Sequence, residues 1–350
     1  LKGVDTPFLG EKRTGRKRNG GNAVEKYSVF VTRKIPQEGL ELIGEYCSVE
    51  VSDFQGMIPR EVLLEKVQGK HGILTLLTDT IDREVMEAAG KTLRVISNYA
   101  AGFNNIDVAE ATRRGIMVTN TPGVLTETTA DLTWALLLSV ARRIVEGDHL
   151  VRSGQFTGWD PLLLLGEDIY RKVLGIVGLG RIGKAVARRA RGFDMEVWYW
   201  KQTRMTEAEE EALGVRYAPL PELLQHADFV TLHVPLTPFT HHLIGEQELR
   251  MMKRNAYLIN TSRGPVVDEK ALVWALREGV IRGAALDVFE REPEVEQELL
   301  TLPNVVLTPH IGSASLATRT RMAVMAARNL IRGLRGEIPE HLVNPEVLGG

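Results

Sequence analysis

"VLGIVGLGRIGKAVARRA", residues 173–190, decides the fold: a β-branched run breaks at Gly178, Gly180 and Gly183, in G-x-G-x-x-G spacing, and passes straight into a helical stretch. The spacing alone is a weak signal; a strand before it and a helix after it supply the context that gives it physical meaning. Gly178 allows the tight turn, Gly180 lets a pyrophosphate come against bare backbone, and Gly183 lets helix and strand pack closely. The helix start adds unpaired N–H groups and the positive end of its dipole, both suited to an anion. These residues therefore predict a dinucleotide-binding strand–turn–helix.

Working outward, "EVWYW" (196–200), "FVTLHV" (229–234), "AYLINTS" (256–262), "GAALDVF" (283–289) and "NVVLTPH" (304–310) read as further strands between helical stretches. With 173–178 they make six, the number of a complete doubly wound nucleotide fold. A separate alternating series precedes it: "YSVFVT", "GILTLL", "LRVISNYA" and "IMVTN" as strands, "IPREVLLEKV" and "DREVMEAAG" as helices. Alternation of this kind points to a parallel sheet covered on both faces. The helix read over 315–335 has nowhere to extend the second sheet and is expected to return to the first. The predicted class is thus α/β, with two doubly wound parallel-sheet domains. A Rossmann dinucleotide-binding domain, 122–310, is inserted into a flavodoxin-like substrate domain made of 27–121 and 311–344. No short-period repeat interrupts this plan.

Bulk properties narrow the function classes. The chain has 350 residues, 44% hydrophobic and 25% charged, enough for two cores, and a formal net charge of −2 that gives no reason to expect nucleic acid or an anionic membrane. A small soluble partner is the expectation. The lone Cys47 excludes an intramolecular disulfide framework and a multi-cysteine metal site, and suits a reducing cytoplasm, where the chain is expected to reside. No metal site is expected: His241 and His242 are adjacent, without the i,i+4 spacing of two helical ligands. The apolar run at 133–144 is too short to span a bilayer and ends in paired arginines, so it reads as a buried or subunit-contacting helix. Residues 1–26, with "EKRTGRKRNGGNAVEK", lack an apolar period and read as a loose arm; a basic nuclear or nucleic-acid patch is the weaker reading of "KRTGRKR".

The end of the second strand carries the cofactor question. An NAD site usually ends that strand in an acid that accepts hydrogen bonds from the ribose hydroxyls. Eighteen residues beyond Gly183 stands Lys201, followed by Gln202, Thr203 and Arg204. A carboxylate there would repel a 2′-phosphate, whereas Lys201, the Thr203 hydroxyl and Arg204 suit one. NADP(H) is favoured, with NAD(H) the possible alternative if these residues form only a solvated loop.

Ligands of open α/β sheets bind beyond the carboxyl ends of the strands. There the sequence places Arg263 in "NTSRG", Asp287 and Glu292 in "LDVFEREPE", and His310 in "TPHIGS". The glycine loop, "NTSRG", "ALDVFEREP" and "TPHIGSAS", in this order, resemble the D-isomer-specific 2-hydroxyacid dehydrogenase family, and within it the glyoxylate/hydroxypyruvate reductase branch. The resemblance covers residues 27–345. It implies that His310 gives a proton to the carbonyl oxygen of a small 2-oxo acid while a nicotinamide gives hydride to C2. Glu292 is implied as the partner of His310, raising its pKa, and Arg263 as the clamp on the substrate carboxylate. Ala101 and Gly102, in "NYAAGFNNID", would offer backbone N–H groups to that carboxylate. Leu179, Gly180, Arg181 and Ile182 would meet the pyrophosphate, Thr126 the nicotinamide side, and His233, Val234 and Pro235 the adenosine and its ribose. Thr261, Ser262, Arg263 and Asp287 would border the nicotinamide, with His310 and Gly312 beside them. The helix over 126–143 and "GQFTGWDPLLLLG" resemble the family's dimer-forming arm and imply a homodimer; Trp159 or the leucines 162–165 would reach the neighbour's cleft.

Relatives on the same fold are told apart by single residues. Phosphite dehydrogenase carries Lys where this chain has Ala101, and formate dehydrogenases pair the histidine with Gln where this chain has Glu292. A long phosphoglycerate dehydrogenase would append a regulatory domain, for which fewer than 40 residues remain after the expected end of the catalytic domain. The reading from another class is a corepressor-like binding protein that senses a dinucleotide, which fold alone does not separate from an enzyme.

Overall fold

The computed structural model describes residues 26–349, so the arm expected over residues 1–26 lies almost wholly outside the described residues. Strands β1 (Tyr27–Val31), β2 (Cys47–Val51), β3 (Gly72–Thr75), β4 (Val95–Asn98) and β5 (Met117–Thr119) form a parallel sheet in the order β2-β1-β3-β4-β5. Helices α1 (Gln37–Tyr46), α2 (Arg60–Lys66), α3 (Arg83–Ala89) and α4 (Val108–Arg113) lie between these strands in sequence. β3 and β4 are buried along their whole length, because helices cover both faces. Phe30, Ile73 and Ile96 pack with Leu63, Val85 and Ala111 of the α2–α4 layer, while Val29, Val31 and Leu74 point the other way.

Two helices open the crossover to the second sheet: α5 (Thr126–Ala141) and α6 (Ile144–Arg152). They are separated by Arg143, whose φ of 53° breaks the helix that the apolar pattern ran through residue 143. The second sheet comprises β6 (Val173–Val177), β7 (Glu196–Trp200), β8 (Arg216–Tyr217), β9 (Phe229–Leu232), β10 (Tyr257–Asn260), β11 (Gly283–Leu286) and β12 (Val305–Leu307). Their order is β12-β11-β10-β9-β6-β7-β8, all parallel. Five helices connect them: α7 (Arg181–Ala190), α8 (Glu207–Leu213), α9 (Leu220–His226), α10 (Glu246–Met251) and α11 (Glu269–Arg277). Trp134 and Leu137 of α5 and Val186 of α7 cover Ile176 and Ile259 on one face, and Leu223, Leu249 and Leu272 of α9–α11 cover Leu232 and Leu258 on the other. The apolar run of α5 is therefore core within the chain, with eight of its residues buried.

The sheets correct the strand count. β2 is a half-exposed edge strand that follows α1 without a turn and carries Glu50, so it shows neither a buried run nor punctuation. β8 has two residues, too few for any period. The six strands read from sequence thus omitted β8, the third of the doubly wound order, and included β12, a seventh.

α12 (Leu316–Leu334) opens on Ser315, whose Oγ accepts from Thr318 N at 3.2 Å. Met322, Ala326 and Leu330 of this helix pack among Val29, Leu74 and Val95, so it closes one face of the first sheet. The chain crosses between sheets after β5 and again before α12, and residues beyond the carboxyl ends of β4 and β10 meet, Asn104 with Arg263. No helix among the described residues is long and apolar enough to cross a membrane.

Candidate active site

At the carboxyl end of β6 the chain turns at Gly178 (φ +100°), where a Cβ would lie 2.7 Å from the His233 carbonyl carbon. A Cβ on Gly183 would strike the Gly178 carbonyl oxygen, so both positions require glycine for packing. Gly180 differs: no atom lies within 4 Å of its Cβ site. The backbone there is open on the side where a phosphate would lie, and the first turn of α7 contains no acid to oppose one. These residues fit a dinucleotide pyrophosphate. Beside them His233 has its Nε2 shut from solvent with no partner among the described residues, and burial pulls its imidazole down to about 3.

The end of β7 carries no carboxylate. Lys201 is half-buried and Gln202 and Thr203 are exposed. Arg204 does not extend freely from this edge. Its Nε and Nη2 each donate to Glu210 at 2.8 Å, and Glu210 also accepts from the Tyr199 hydroxyl at 2.6 Å. The Arg204 and Tyr199 hydrogen bonds hold the Glu210 carboxyl down at about 2 despite its burial. Arg204 thus braces the loop against α8.

Three strand ends bring the reactive groups together. His310 follows β12 in the left-handed region (φ 53°), and its Nδ1 lies 2.8 Å from Glu292 Oε2. Glu292 Oε1 accepts from Phe289 N at 3.1 Å. Burial alone would raise the Glu292 carboxyl; the His310 hydrogen bond and the charges of His310 and Arg263 outweigh it and hold Glu292 below the usual carboxylate value. Arg263, after β10, has Nη1 on Ser262 O at 2.7 Å and Nε on Asn104 Oδ1 at 3.1 Å, a contact from one sheet edge to the other. Burial lowers its pKa, partly offset by Glu292, and a guanidinium so strongly basic stays charged. Ala101 and Gly102 lie opposite: a Cβ on Gly102 would fall onto the Arg263 guanidinium, 3.0 Å from Cζ.

Asp287 is buried, and its oxygens accept from the Thr308 hydroxyl (2.6 Å), Ile311 N (2.8 Å) and Gly312 N (2.8 Å). Burial pushes its carboxyl up. Through these bonds Asp287 ties down the loop that carries His310. Asn104 and Thr308 were not singled out from sequence, because nothing in a lone polar residue says which distant strand end it will meet. Of the remaining cradle residues, Thr261 and Ser262 are buried behind Arg263, Thr126 starts α5, and Val234 and Pro235 follow His233. The 155–166 segment leaves Trp159 85% exposed and Leu162 76% exposed, an apolar surface uncovered within one chain.

Comparison with known proteins agrees with this geometry. Residues 134–312 match the profile of the D-isomer specific 2-hydroxyacid dehydrogenase, NAD binding domain. A glyoxylate reductase of Thermococcus litoralis is 55% identical over 327 residues, 92% of this chain and 98% of the relative, and one of Korarchaeum cryptofilum is 56% identical over 325 residues, 92% and 97%. Among solved structures, an NADPH-dependent glyoxylate/hydroxypyruvate reductase of Sinorhizobium meliloti in complex with NADP and malonate superposes with a TM-score of 0.77 at 33% identity, covering 92% of this chain and 98% of that one.

Proposed function

Because the chain belongs to the D-isomer-specific 2-hydroxyacid dehydrogenase family, NAD(P)-dependent oxidoreductases, we propose that it reduces small 2-oxo acids, glyoxylate and hydroxypyruvate, with NADPH preferred to NADH. The products are 2-hydroxy acids, D-configured where C2 is a stereocentre. The observation that carries this reading is the His310–Glu292 pair at 2.8 Å, with Glu292 within electrostatic reach of Arg263.

A bound reduced nicotinamide supplies hydride to C2. His310, with Nδ1 on Glu292, keeps Nε2 for the carbonyl oxygen and delivers the proton that completes the alcohol. Glu292 orients the ring through that hydrogen bond. Arg263 grips the carboxylate together with the backbone at Ala101 and Gly102. Gly178, Leu179, Gly180, Arg181, Ile182 and Gly183 would hold the pyrophosphate. Lys201, Gln202 and Thr203 would face the 2′-phosphate, with Arg204 stiffening their loop. His233, Val234 and Pro235 would run beneath the adenosine, and Thr126, Thr261, Ser262, Asp287 and Gly312 would line the nicotinamide end. In this reading 122–310 is the nucleotide domain, 27–121 with 311–344 is the substrate domain, and the exposed 155–166 arm seats on a second copy.

A panel of 2-oxo acids with NADPH and NADH tests the proposal. Turnover with glyoxylate or hydroxypyruvate and a higher kcat/KM with NADPH is the expected result; no oxidation of either nucleotide across the panel would overturn it.

A further inference from the structure

Three successive peptide units beyond β4 have their carbonyls tied down by donors at the carboxyl ends of the neighbouring strands β4 and β5. Ala100 O accepts from Thr121 N at 2.8 Å, Ala101 O from Asn120 Nδ2 at 2.6 Å, and Gly102 O from Asn98 Nδ2 at 2.8 Å. All three units are trans, the one cis bond among the described residues being Glu292–Pro293. In a trans peptide the C=O and N–H point in opposite directions. Anchoring the carbonyls of residues 100, 101 and 102 therefore turns out the N–H groups of Ala101, Gly102 and Phe103. None of these three amides donates to another group among the described residues. They emerge where the Arg263 guanidinium lies against Gly102. Consecutive amides turned to one side form a concavity that binds anions.

We propose that the carboxylate subsite is a nest of three amides, Ala101, Gly102 and Phe103, and that Asn98 and Asn120 are the positioning residues that aim it. This rests on the reading of Arg263 as the carboxylate clamp and extends it to Phe103, whose N–H, not its exposed ring, is the recognition element. The two carboxamides suit the task because they are buried, Asn98 completely, and are themselves fixed. Asn98 also donates to Asn105 Oδ1 at 3.0 Å, and the backbone of Asn120 is held by its carbonyl oxygen, which accepts from Asn329 Nδ2 of α12 at 3.1 Å. A carboxamide can donate to the loop carbonyl, whereas an isosteric carboxylate only accepts.

Asn98→Asp and Asn120→Asp remove the donor and keep the shape. Each is expected to raise KM for glyoxylate on the order of tenfold, with kcat within about threefold and KM for NADPH unchanged, the pattern of lost uniform binding. Folded variants with glyoxylate KM within about twofold of the parent would overturn the proposal. If the variants do not fold, the parent enzyme decides. With ¹⁵N-phenylalanine in its nine phenylalanine positions and NADPH bound, the Phe103 amide resonance should move on titration with oxalate, and an unmoved resonance overturns the nest. Arg263→Ala in the same assay separates the two readings. If it leaves kinetics unchanged, the clamp itself is wrong; if it is impaired while the Asn variants and the Phe103 resonance are not, only the nest fails.

Discussion

Gly102→Ala separates catalysis from stability by a single methyl group. Its Cβ would sit 3.0 Å from Arg263 Cζ, whereas carbon atoms in contact keep about 3.5–4.0 Å. The guanidinium must therefore withdraw by about 0.5–1 Å, its near terminal nitrogen by more. It cannot swing aside freely, because Nε is held by Asn104 and Nη1 by Ser262 O. A displacement of about 1 Å in a group that positions substrate costs on the order of 10²-fold in rate, about 2.7 kcal/mol of transition-state binding. The fold should not register the change. Gly102 does not have a positive φ, so alanine brings no backbone strain and removes unfolded-state entropy worth about 0.4–1 kcal/mol. The assay is steady-state glyoxylate reduction followed by NADPH absorbance, alongside thermal unfolding. Gly44→Ala on α1, where a Cβ meets nothing within 4 Å, is the control. A Gly102→Ala enzyme with kcat/KM within about threefold of the parent would refute the argument that Arg263 works against bare backbone.

Other expectations follow from the same contacts. His310→Ala and Arg263→Ala should each lower kcat/KM by on the order of 10² or more, and near-parental turnover in either would remove its assigned role. Glu292 is held below its ordinary value of 4.5, so its charge is complete above that pH and is lost only as pH falls through the lowered value; an inflection of kcat/KM between pH 5 and 6 that disappears in Glu292→Gln would contradict this. Lys201→Asp should shift the NADPH-to-NADH preference by about tenfold or more towards NADH, whereas an unchanged ratio would exclude Lys201 from the phosphate. Arg204→Ala should lower Tm at pH 7. Because Glu210 is depressed to about 2 from 4.5, the penalty should be complete above pH 4.5 and shrink as pH falls towards 2; a Tm difference independent of pH would show that the fork contributes little.

Local chemistry written along the chain was enough for the class of fold and for the groups that end its strands. The glycine spacing after β6, the alternation of β-branched runs with helices, and the basic residues after Trp200 are properties of short segments, and short segments are what sequence displays. Strands buried on both faces announce themselves as continuous apolar runs, so β3, β4, β6, β9 and β10 were legible. β2 and β8 were not, since an edge strand or a two-residue strand is defined by its neighbour's hydrogen bonds and not by its own pattern. Whether a polar side chain is free or engaged is likewise decided by residues far away in the chain. That Glu210 braces Arg204, and that Asp287 holds the His310 loop, follows from the assembled fold and from neither residue's own segment. Asn98, Asn104 and Asn120 are unremarked until two sheet edges meet. Side-chain type and spacing are set residue by residue, but the direction of a guanidinium or an amide depends on which partners the completed packing leaves to it.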